Sequence, residues 1–213
     1  SFVDDEKIEH IVYRIVKSEK GLQEIKKFLQ KKVLFIADGH HRYKVTTEYL
    51  KKINQKFFMG YICSSSDEGL LILPTHRATA ESHLYEELKK YFDYIEWDGE
   101  SEVSILVYKN GVFKVLKPKI KKYTKEQPYF LLDKILCELE TQQIRQQMFY
   151  HQEMKEVINF ADKFNGCAFI MPPVRREEFV TIVKKGFLFP PKTTYFYPKI
   201  LSGLMFYDFS NDL

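Results

Sequence analysis

The chain has 213 residues, of which 45% are hydrophobic and 29% charged, and a formal net charge of +4. This length allows one substantial hydrophobic core or two small ones, and the mild basic excess permits an anionic ligand without indicating nucleic acid. Three cysteines without CxxC spacing argue against a disulfide framework or zinc motif, and no apolar run approaches the roughly 20 residues of a membrane helix. We therefore expect a cytoplasmic protein without a membrane partner.

Strand and helix patterns alternate along the first half of the chain. Runs rich in β-branched and aromatic residues predict strands, and apolar residues at helical spacing predict helices. The predicted strands are 8–16, 33–37, 57–63 and 70–73, and the predicted helices are 18–32, the segment from the histidines to Ile53, and 82–94. Ser18 is a candidate N-cap. The run VLFIA (33–37) has no polar alternation, which is typical of a strand buried on both faces.

In the second half, Asn110-Gly111 lies between two strand patterns within 103–117, which predicts a type I′ hairpin. A basic segment, 118–130, follows as a loop or lid. The remaining predicted elements are helices at 131–146 and 151–165, a strand at 167–171, a helix at 174–186, and a tail (187–209) that begins as a Pro-rich loop and ends as a strand. Gly166 is expected to end the second helix.

Interleaved strands and helices predict an α/β or α+β fold with a mixed sheet. We expect two halves packed as one compact unit: an α/β half over 1–118 and a helical and strand half over 119–213.

The first polar cluster, Asp38-Gly39-His40-His41-Arg42, lies where a predicted buried strand becomes a helix. The first N–H groups of a helix have no partner within it and favour negative charge, so such a junction can bind an anion. Gly39 allows a tight turn, and Arg42 can hold phosphate with two hydrogen bonds. Asp38 can cap the helix, fix a histidine tautomer or hold magnesium. We expect His41 to face the ligand and His40 to be structural; the alternative is a capped helix with an Asp38–Arg42 pair.

Two further polar clusters follow predicted strands or rigid turns. Pro74-Thr75-His76-Arg77 follows the strand at 70–73, and residues 190–199 are held by prolines at both ends. The candidate ligand-binding residues of these clusters are Thr75, Arg77, Lys192, Thr193, Thr194 and Lys199. We predict that Arg42, Arg77 and Lys192 line one cleft. A polar loop and a surface loop are the alternative interpretations.

The three clusters carry a resemblance. IADGHHRY, LILPTHR and PPKTTYFYPKILSGL, in this order, resemble the hallmark motifs of a bacterial and archaeal family known as a domain of unknown function, and the resemblance extends over nearly the whole chain. The DGHHR turn is also similar to a nucleotide-phosphate-binding box of the ParB and sulfiredoxin superfamily, one branch of which is an ADP-dependent serine kinase. This second resemblance implies a ParB/sulfiredoxin-like core.

The chain departs from these patterns in three respects. Lys44 stands where family members carry an acidic residue, and a further N-terminal segment of the family is expected to be absent. No upstream acidic residue lies in a motif that matches the catalytic carboxylate of the kinase branch.

The leading hypothesis is therefore a protein that binds a phosphorylated small molecule or nucleotide at the DGHHR turn, together with magnesium, as a phosphotransferase. His41, His76 and Asp38 are its candidate catalytic residues. Gly39 and His40 would bind the ligand together with Arg42 and the candidate ligand-binding residues of the second and third clusters. The alternative is a non-catalytic nucleotide-binding regulator, which the missing carboxylate favours. A nucleic-acid-binding module is a third and weaker candidate, since no reading motif is present.

Overall fold

The computed structural model describes residues 1–5, 7–16, 20–99, 104–119, 128–139 and 148–208. By its contacts the chain divides into two compact units, Ser1–His40 and His41–Leu213. This boundary differs in position from the expected one at residue 118. Strands from both sides of residue 118 pair within the second unit, as described below. The predicted N-cap Ser18, and most of the predicted lid at 118–130, lie outside the described residues.

The first unit contains a short hairpin and one helix. Strands β1 (Phe2–Val3) and β2 (Glu9–His10) pair antiparallel, and helix α1 spans Lys20–Leu29. The Asp4 carboxylate accepts hydrogen bonds from the Ile8 N–H at 2.9 Å and from His10 Nε2 at 2.8 Å, which closes the turn. The helix at 18–32 was predicted, whereas only two residues of the predicted strand 8–16 are extended and paired.

The prediction of a buried strand over 33–37 is wrong. These residues have no regular secondary structure, and Val33 is 76% exposed. An apolar run becomes a strand only when a neighbouring strand pairs with its backbone, and no strand of the described residues pairs with this one. The following helix, α2 (His40–Lys52), does begin at the histidines as predicted.

The second unit holds most of the secondary structure. Its helices are α3 (Ser82–Glu87), extended by a 3₁₀ turn at Leu88–Lys90, α4 (Pro128–Glu138), α5 (Met154–Lys163) and α6 (Arg176–Lys184). Its strands are β3 (Leu71–Pro74), β4 (His76–Thr79), β5 (Phe92–Glu96), β6 (Leu106–Lys109), β7 (Val112–Pro118), β8 (Phe149–His151), β9 (Cys167–Ile170) and β10 (Thr194–Tyr197).

Six of these strands form one sheet in the order β5-β7-β6-β9-β4-β8, and β10 pairs with β3 in a second sheet. Every pairing between the described strands is antiparallel, so the parallel neighbours that a mixed sheet requires are not among them. The predicted class, strands interleaved with helices, is confirmed. The antiparallel pairings place the protein on the α+β side of the two predicted alternatives.

The large sheet separates two apolar clusters, because successive side chains along a strand point to opposite faces. On one face Val107 and Phe169 pack among buried residues of α3 and α4, including Leu84 and Leu132. On the other face Ala78 and Ala168 pack against Val157 and Ala161 of α5. Strand β4 is buried along its whole length between these clusters.

The hairpin prediction is confirmed in detail. Strands β6 and β7 flank Asn110 and Gly111, whose φ angles of 49° and 81° are both positive. A type I′ turn requires this conformation at both central residues, and Asn-Gly adopts it at low cost.

Several other boundaries differ from the predictions. Residues 57–63 form no strand, and Phe57 and Tyr61 are exposed. The chain forms β5 where a continuous helix was expected up to residue 94. Strand β10 lies inside the segment expected to be a Pro-rich loop, and no strand follows it up to residue 208. Strands β4 and β8 were not predicted: the polar residues of β4 hid its pattern, and β8 is only three residues long.

None of the helices in the described residues is long and apolar enough to span a membrane.

Gly166 is required for a reason other than the predicted one. The positive φ after α5 belongs to Asn165 (52°), while the Gly166 N–H donates to the Ala161 carbonyl at 2.8 Å. A Cβ atom at Gly166 would overlap the Thr79 carbonyl oxygen and would lie 3.0 Å from Ala80 Cα. The close approach of two backbones therefore excludes a side chain here.

We expect Gly166→Ala to lower the free energy of unfolding by about 3 kcal/mol or more, because backbone atoms on both sides must move. Urea denaturation measures the loss. Gly60→Ala is the matched control, because its Cβ would meet only the Phe58 ring at 3.9 Å, and we expect a change within about 0.5 kcal/mol. Equal effects of the two substitutions would contradict the close packing at Gly166.

Candidate functional site

The first polar cluster forms the exposed start of α2. Gly39 has a φ of 81°, and its N–H donates to Asp38 Oδ1 at 2.7 Å. His40, His41 and Arg42 are exposed, and the first turn of the helix contains no acidic residue. The helix end and Arg42 favour an anion here, while the Asp38 carboxylate lies just before the helix and accepts the Gly39 N–H. His40 was expected to be structural, packed against the sheet or a neighbouring loop, but it is exposed like His41.

The second polar cluster is buried rather than open. Thr75, His76 and Arg77 have only 7%, 7% and 1% of their surface exposed, because Thr75 joins β3 to β4 and the other two residues begin β4. The cluster was expected to be a polar loop or an open ligand site. His76 and Arg77 instead lie in a strand that pairs on both sides, with β8 and with β9.

His76 is held as a neutral ring. Its Nδ1 accepts a hydrogen bond from the Met171 N–H at 3.1 Å, and His151 is its cross-strand partner on β8. Burial, followed by the proximity of His151, lowers the pKa of His76 to about 4. Both effects disfavour the imidazolium, so this ring is not a general acid at neutral pH.

The Arg77 side chain lies within the protein and not along an open cleft. Its Nη1 is 3.9 Å from Asp133 Oδ1 on α4, and its guanidinium lies 5.7 Å from the centre of the Tyr150 ring. Arg42 and Lys192, in contrast, are exposed. Arg77 is therefore buried, whereas Arg42 and Lys192 are exposed. The prediction that the three cations line one cleft does not hold for Arg77.

The third polar cluster lies beside the second. Residues Thr194–Tyr197 pair with β3, with Thr194 opposite Pro74, and the Thr75 N–H donates to the Thr193 carbonyl at 3.3 Å. The Thr193 side chain is buried and donates to the Pro190 carbonyl at 2.7 Å. Two clusters that are more than 110 residues apart in the chain are thus brought together.

Of the two cations of the third cluster, Lys192 is exposed and Lys199 is half-buried. Lys192 has a positive φ of 58° and is exposed, while Lys199 Nζ lies 4.5 Å from the centre of the Tyr195 ring. A lysine over an aromatic face gains a cation–π contact.

Three residues of the buried site were not singled out in the sequence. Asp133 and Tyr150 contact Arg77, and His151 faces His76. A cross-strand partner can be found only once the register is known, because residues 76 and 151 are distant in the chain. The tripeptide Phe149-Tyr150-His151 carried the only signal, an aromatic run typical of a strand.

The described cysteines form no disulfide, and Cys167 is not an activated nucleophile. Cys63 and Cys167 are free thiols, and burial raises the pKa of Cys167 to about 12. A thiol with such a pKa stays protonated at neutral pH. The Cys137 side chain lies outside the described part.

The residues of the described ranges do not assemble a metal site of their own. Nowhere in these ranges do three His, Cys, Asp or Glu residues lie close enough to hold a metal ion. Magnesium that is carried by nucleotide phosphates uses only one or two carboxylates and keeps several waters. Asp38 would be the carboxylate for such an ion, as expected from the sequence.

The comparison with family models gives a clear match. Residues 1–159 match the model described as Protein of unknown function (DUF1015), which is about three quarters of the chain. The chain belongs to this family. A search of curated proteins finds no match.

Several solved structures are similar to the chain. A conserved hypothetical protein from Pyrococcus furiosus is 22% identical, with a TM-score of 0.48 over 75% of this chain and 68% of that one. A free serine kinase in complex with AMP is 20% identical, with a TM-score of 0.49 over 86% and 81% of the two chains. A variant of that kinase in complex with ADP is 20% identical, with a TM-score of 0.48 over 75% and 66%.

The neutral state of His76 makes the stability depend on pH. Its pKa is lowered from 6.5 to about 4 in the folded chain, so the unfolded chain binds the extra proton between these values. Stability is therefore full above pH 6.5 and is lost as the pH falls towards 4, by at most about 3 kcal/mol.

Urea denaturation at pH 7.5 and at pH 5 measures this loss. His76→Asn keeps an acceptor for the Met171 N–H but does not titrate, and we expect its pH dependence over this range to be smaller than that of the natural chain. An unchanged pH dependence in this variant would contradict the assignment.

Proposed function

We propose that this member of the family binds a phosphorylated small molecule or a nucleotide at the first turn of α2. The observation that carries the proposal is the exposed start of this 13-residue helix. Its first turn contains Arg42 and no acidic residue. Helix N–H groups can donate to phosphate oxygens, and a guanidinium adds two parallel, charge-assisted hydrogen bonds.

The turn before the helix supports the same proposal. The positive φ of Gly39 is easily adopted only by glycine, and the absence of a side chain leaves room for a phosphate to approach the backbone. The Asp38 carboxylate is hydrogen-bonded to the Gly39 N–H and so holds the turn in shape. His40 and His41 are both exposed and available to the ligand.

The other predicted ligand-binding residues divide into two groups. Lys192, Thr194 and Lys199 reach the surface and keep the proposed role of contacting an anion. The buried residues Thr75, Arg77 and Thr193 would act indirectly, by holding β3, β4 and β10 in position.

A phosphotransferase would need a group that moves a proton, and the burial of His76 narrows the candidates to His41 and Asp38. Binding without turnover is therefore the better-supported function, since His76 uses its Nδ1 to accept the Met171 N–H. If transfer occurs, His41 is the favoured acid or base because its imidazole is exposed and lies next to Arg42 in the first turn of α2. Magnesium bound with a nucleotide would neutralise phosphate charge.

We expect Arg42→Ala to weaken the binding of ADP or another phosphorylated ligand by roughly ten- to a hundredfold. This corresponds to the loss of about 1.5–3 kcal/mol for a charge-assisted hydrogen bond. Isothermal titration calorimetry with ADP, AMP and inorganic phosphate gives the affinities, and adenosine shows whether phosphate is needed.

Lys51→Ala is the control for this experiment, because Lys51 is an exposed cation at the opposite end of the same helix. We expect it to bind like the natural chain. Equal losses in both variants would show that net charge and not the first turn of α2 determines the affinity. Binding of adenosine as tight as that of ADP would exclude a phosphate site.

We expect weak or absent turnover of nucleotide by this chain despite binding. ³¹P NMR of ADP or ATP with magnesium and a set of hydroxyl acceptors, serine among them, detects both hydrolysis and transfer. Robust turnover that is lost in His41→Ala would instead establish a phosphotransferase with His41 in the proton-transfer role.

A further inference from the structure

Tyr129, in the first turn of α4, has a buried hydroxyl group without a hydrogen bond to any described residue. The residue is only 2% exposed, and its hydroxyl oxygen is one of the few buried side-chain polar atoms that lack a partner. Leaving such a group unsatisfied is costly, and folded proteins keep few of them. The Tyr129 hydroxyl therefore indicates a hydrogen-bonding partner from outside the chain.

The charged groups nearest to this hydroxyl belong to the start of α6. Burial, followed by the proximity of the Glu178 carboxylate, raises the pKa of Tyr129 to about 12, against a smaller opposing effect of Arg175. The phenol therefore keeps its proton at neutral pH and can donate as well as accept. Glu178 accepts hydrogen bonds from Arg175 Nη2 at 3.0 Å and from the Arg175 N–H at 3.4 Å. These bonds hold the carboxylate in place and leave it further acceptor positions.

Four aromatic rings meet beside this polar group. The centre of the Phe189 ring lies 5.4 Å from the ring centres of Tyr129, Phe130 and Phe179. Its plane is inclined by only 20° to that of Phe130 and by 13° to that of Phe179. Phe189 thus occupies a position in which a flat ring stacks on other flat rings.

Phe189 is held in this position by its side chain rather than by its backbone. It is half-buried and lies in the connection between α6 and β10, outside any helix or strand. Within the described part of the chain, neither Leu188 nor Phe189 takes part in a hydrogen bond between backbone groups. The side chains of Phe187 and Leu188 are 61% and 78% exposed. The Phe189 ring can therefore leave its place without breaking a helix or a strand.

We propose that Tyr129, Phe130 and Phe179 form a binding site for a planar heteroaromatic group of the aminopurine type, and that Phe189 occupies this site in the present structure. The ligand ring takes the stacked position of the Phe189 ring. Its amino group donates to the Glu178 carboxylate, and a neighbouring ring nitrogen accepts from the Tyr129 hydroxyl. Adenine carries such a donor beside an acceptor. The site shares no residue with the start of α2 and does not rest on the function proposed above.

Tyr129→Phe removes only the hydroxyl oxygen, so it separates a role in binding from a role in the fold. We expect its urea midpoint to be unchanged or higher, because no hydrogen bond within the protein is lost. We expect adenosine to bind about tenfold more weakly in isothermal titration calorimetry, because the hydroxyl no longer serves the ligand.

Tyr108→Phe is the matched control for this substitution. Tyr108 is also buried, but its hydroxyl donates to the Asp162 carboxylate at 2.9 Å. We expect its urea midpoint to fall and its affinity for adenosine to equal that of the natural chain. A midpoint that falls as far in Tyr129→Phe would show that the Tyr129 hydroxyl serves the fold, and would overturn the proposal.

Phe189→Ala removes the competing ring. We expect adenosine to bind about tenfold more tightly than to the natural chain, because the ligand no longer displaces a side chain. Leu188→Ala changes an exposed neighbour and should leave the affinity unchanged. Inosine, which has a carbonyl oxygen in place of the amino group, should bind more weakly than adenosine because this oxygen would face the Glu178 carboxylate.

NMR of the natural chain with millimolar adenosine gives a test that needs no variant. We expect nuclear Overhauser contacts between the base protons and the ring protons of Phe130 and Phe179. Absence of these contacts, contacts to the first turn of α2 alone, or no gain in affinity in a folded Phe189→Ala variant would each overturn the proposal. Adenosine binding that persists in Arg42→Ala would support this site independently of α2.

Discussion

The burial of β4 is the constraint on which the second unit depends. Its four residues are His76, Arg77, Ala78 and Thr79, and three of them are polar, yet the strand is fully buried between β8 and β9. Each polar side chain must therefore find a partner inside the protein. His76 accepts the Met171 N–H, Arg77 lies near Asp133 and Tyr150, and Thr79 accepts the Glu81 N–H at 3.1 Å.

These partners come from several elements, and this links distant parts of the chain. Asp133 belongs to α4, Tyr150 to β8, and Met171 follows β9. The turn before β4 adds Thr193, so the third polar cluster is tied to the same point. A strand that collects so many polar contacts positions its neighbours accurately, because each hydrogen bond is satisfied in only one arrangement.

The start of α2 and the start of β4 consequently have different chemistry. His41 and Arg42 are exposed, whereas His76 and Arg77 are fixed in a buried setting. Exposed groups can bind a phosphate at little cost of rearrangement.

Local sequence patterns correctly predicted the elements that are determined by neighbouring residues in the chain. Asn110-Gly111 determines a turn through its own backbone preference, and the histidines coincide with the start of α2 because a helix end follows from nearby residues. Residues 33–37 have equally strong local character, yet a strand depends on a partner elsewhere, and the prediction was wrong.

The features of the candidate site also fall into those that the local sequence could indicate and those that depend on distant parts of the chain. The polar residues at 38–42, 74–77 and 190–199 could be recognised as unusual in the sequence, and the pairing of β10 with β3 brings the last two clusters together. The burial of Arg77 and the facing of His76 and His151 could not be predicted, because polar residues usually lie at the surface. Only the register of β4 with β8 brings residues 76 and 151 together.

The most direct test of the proposed function is a crystal structure of the chain grown with a saturating concentration of ADP. The account predicts density for a phosphoryl group within hydrogen-bonding distance of the N–H groups at the start of α2 and of the Arg42 guanidinium. Density for the nucleotide elsewhere, with the first turn of α2 bound only to solvent, would contradict it.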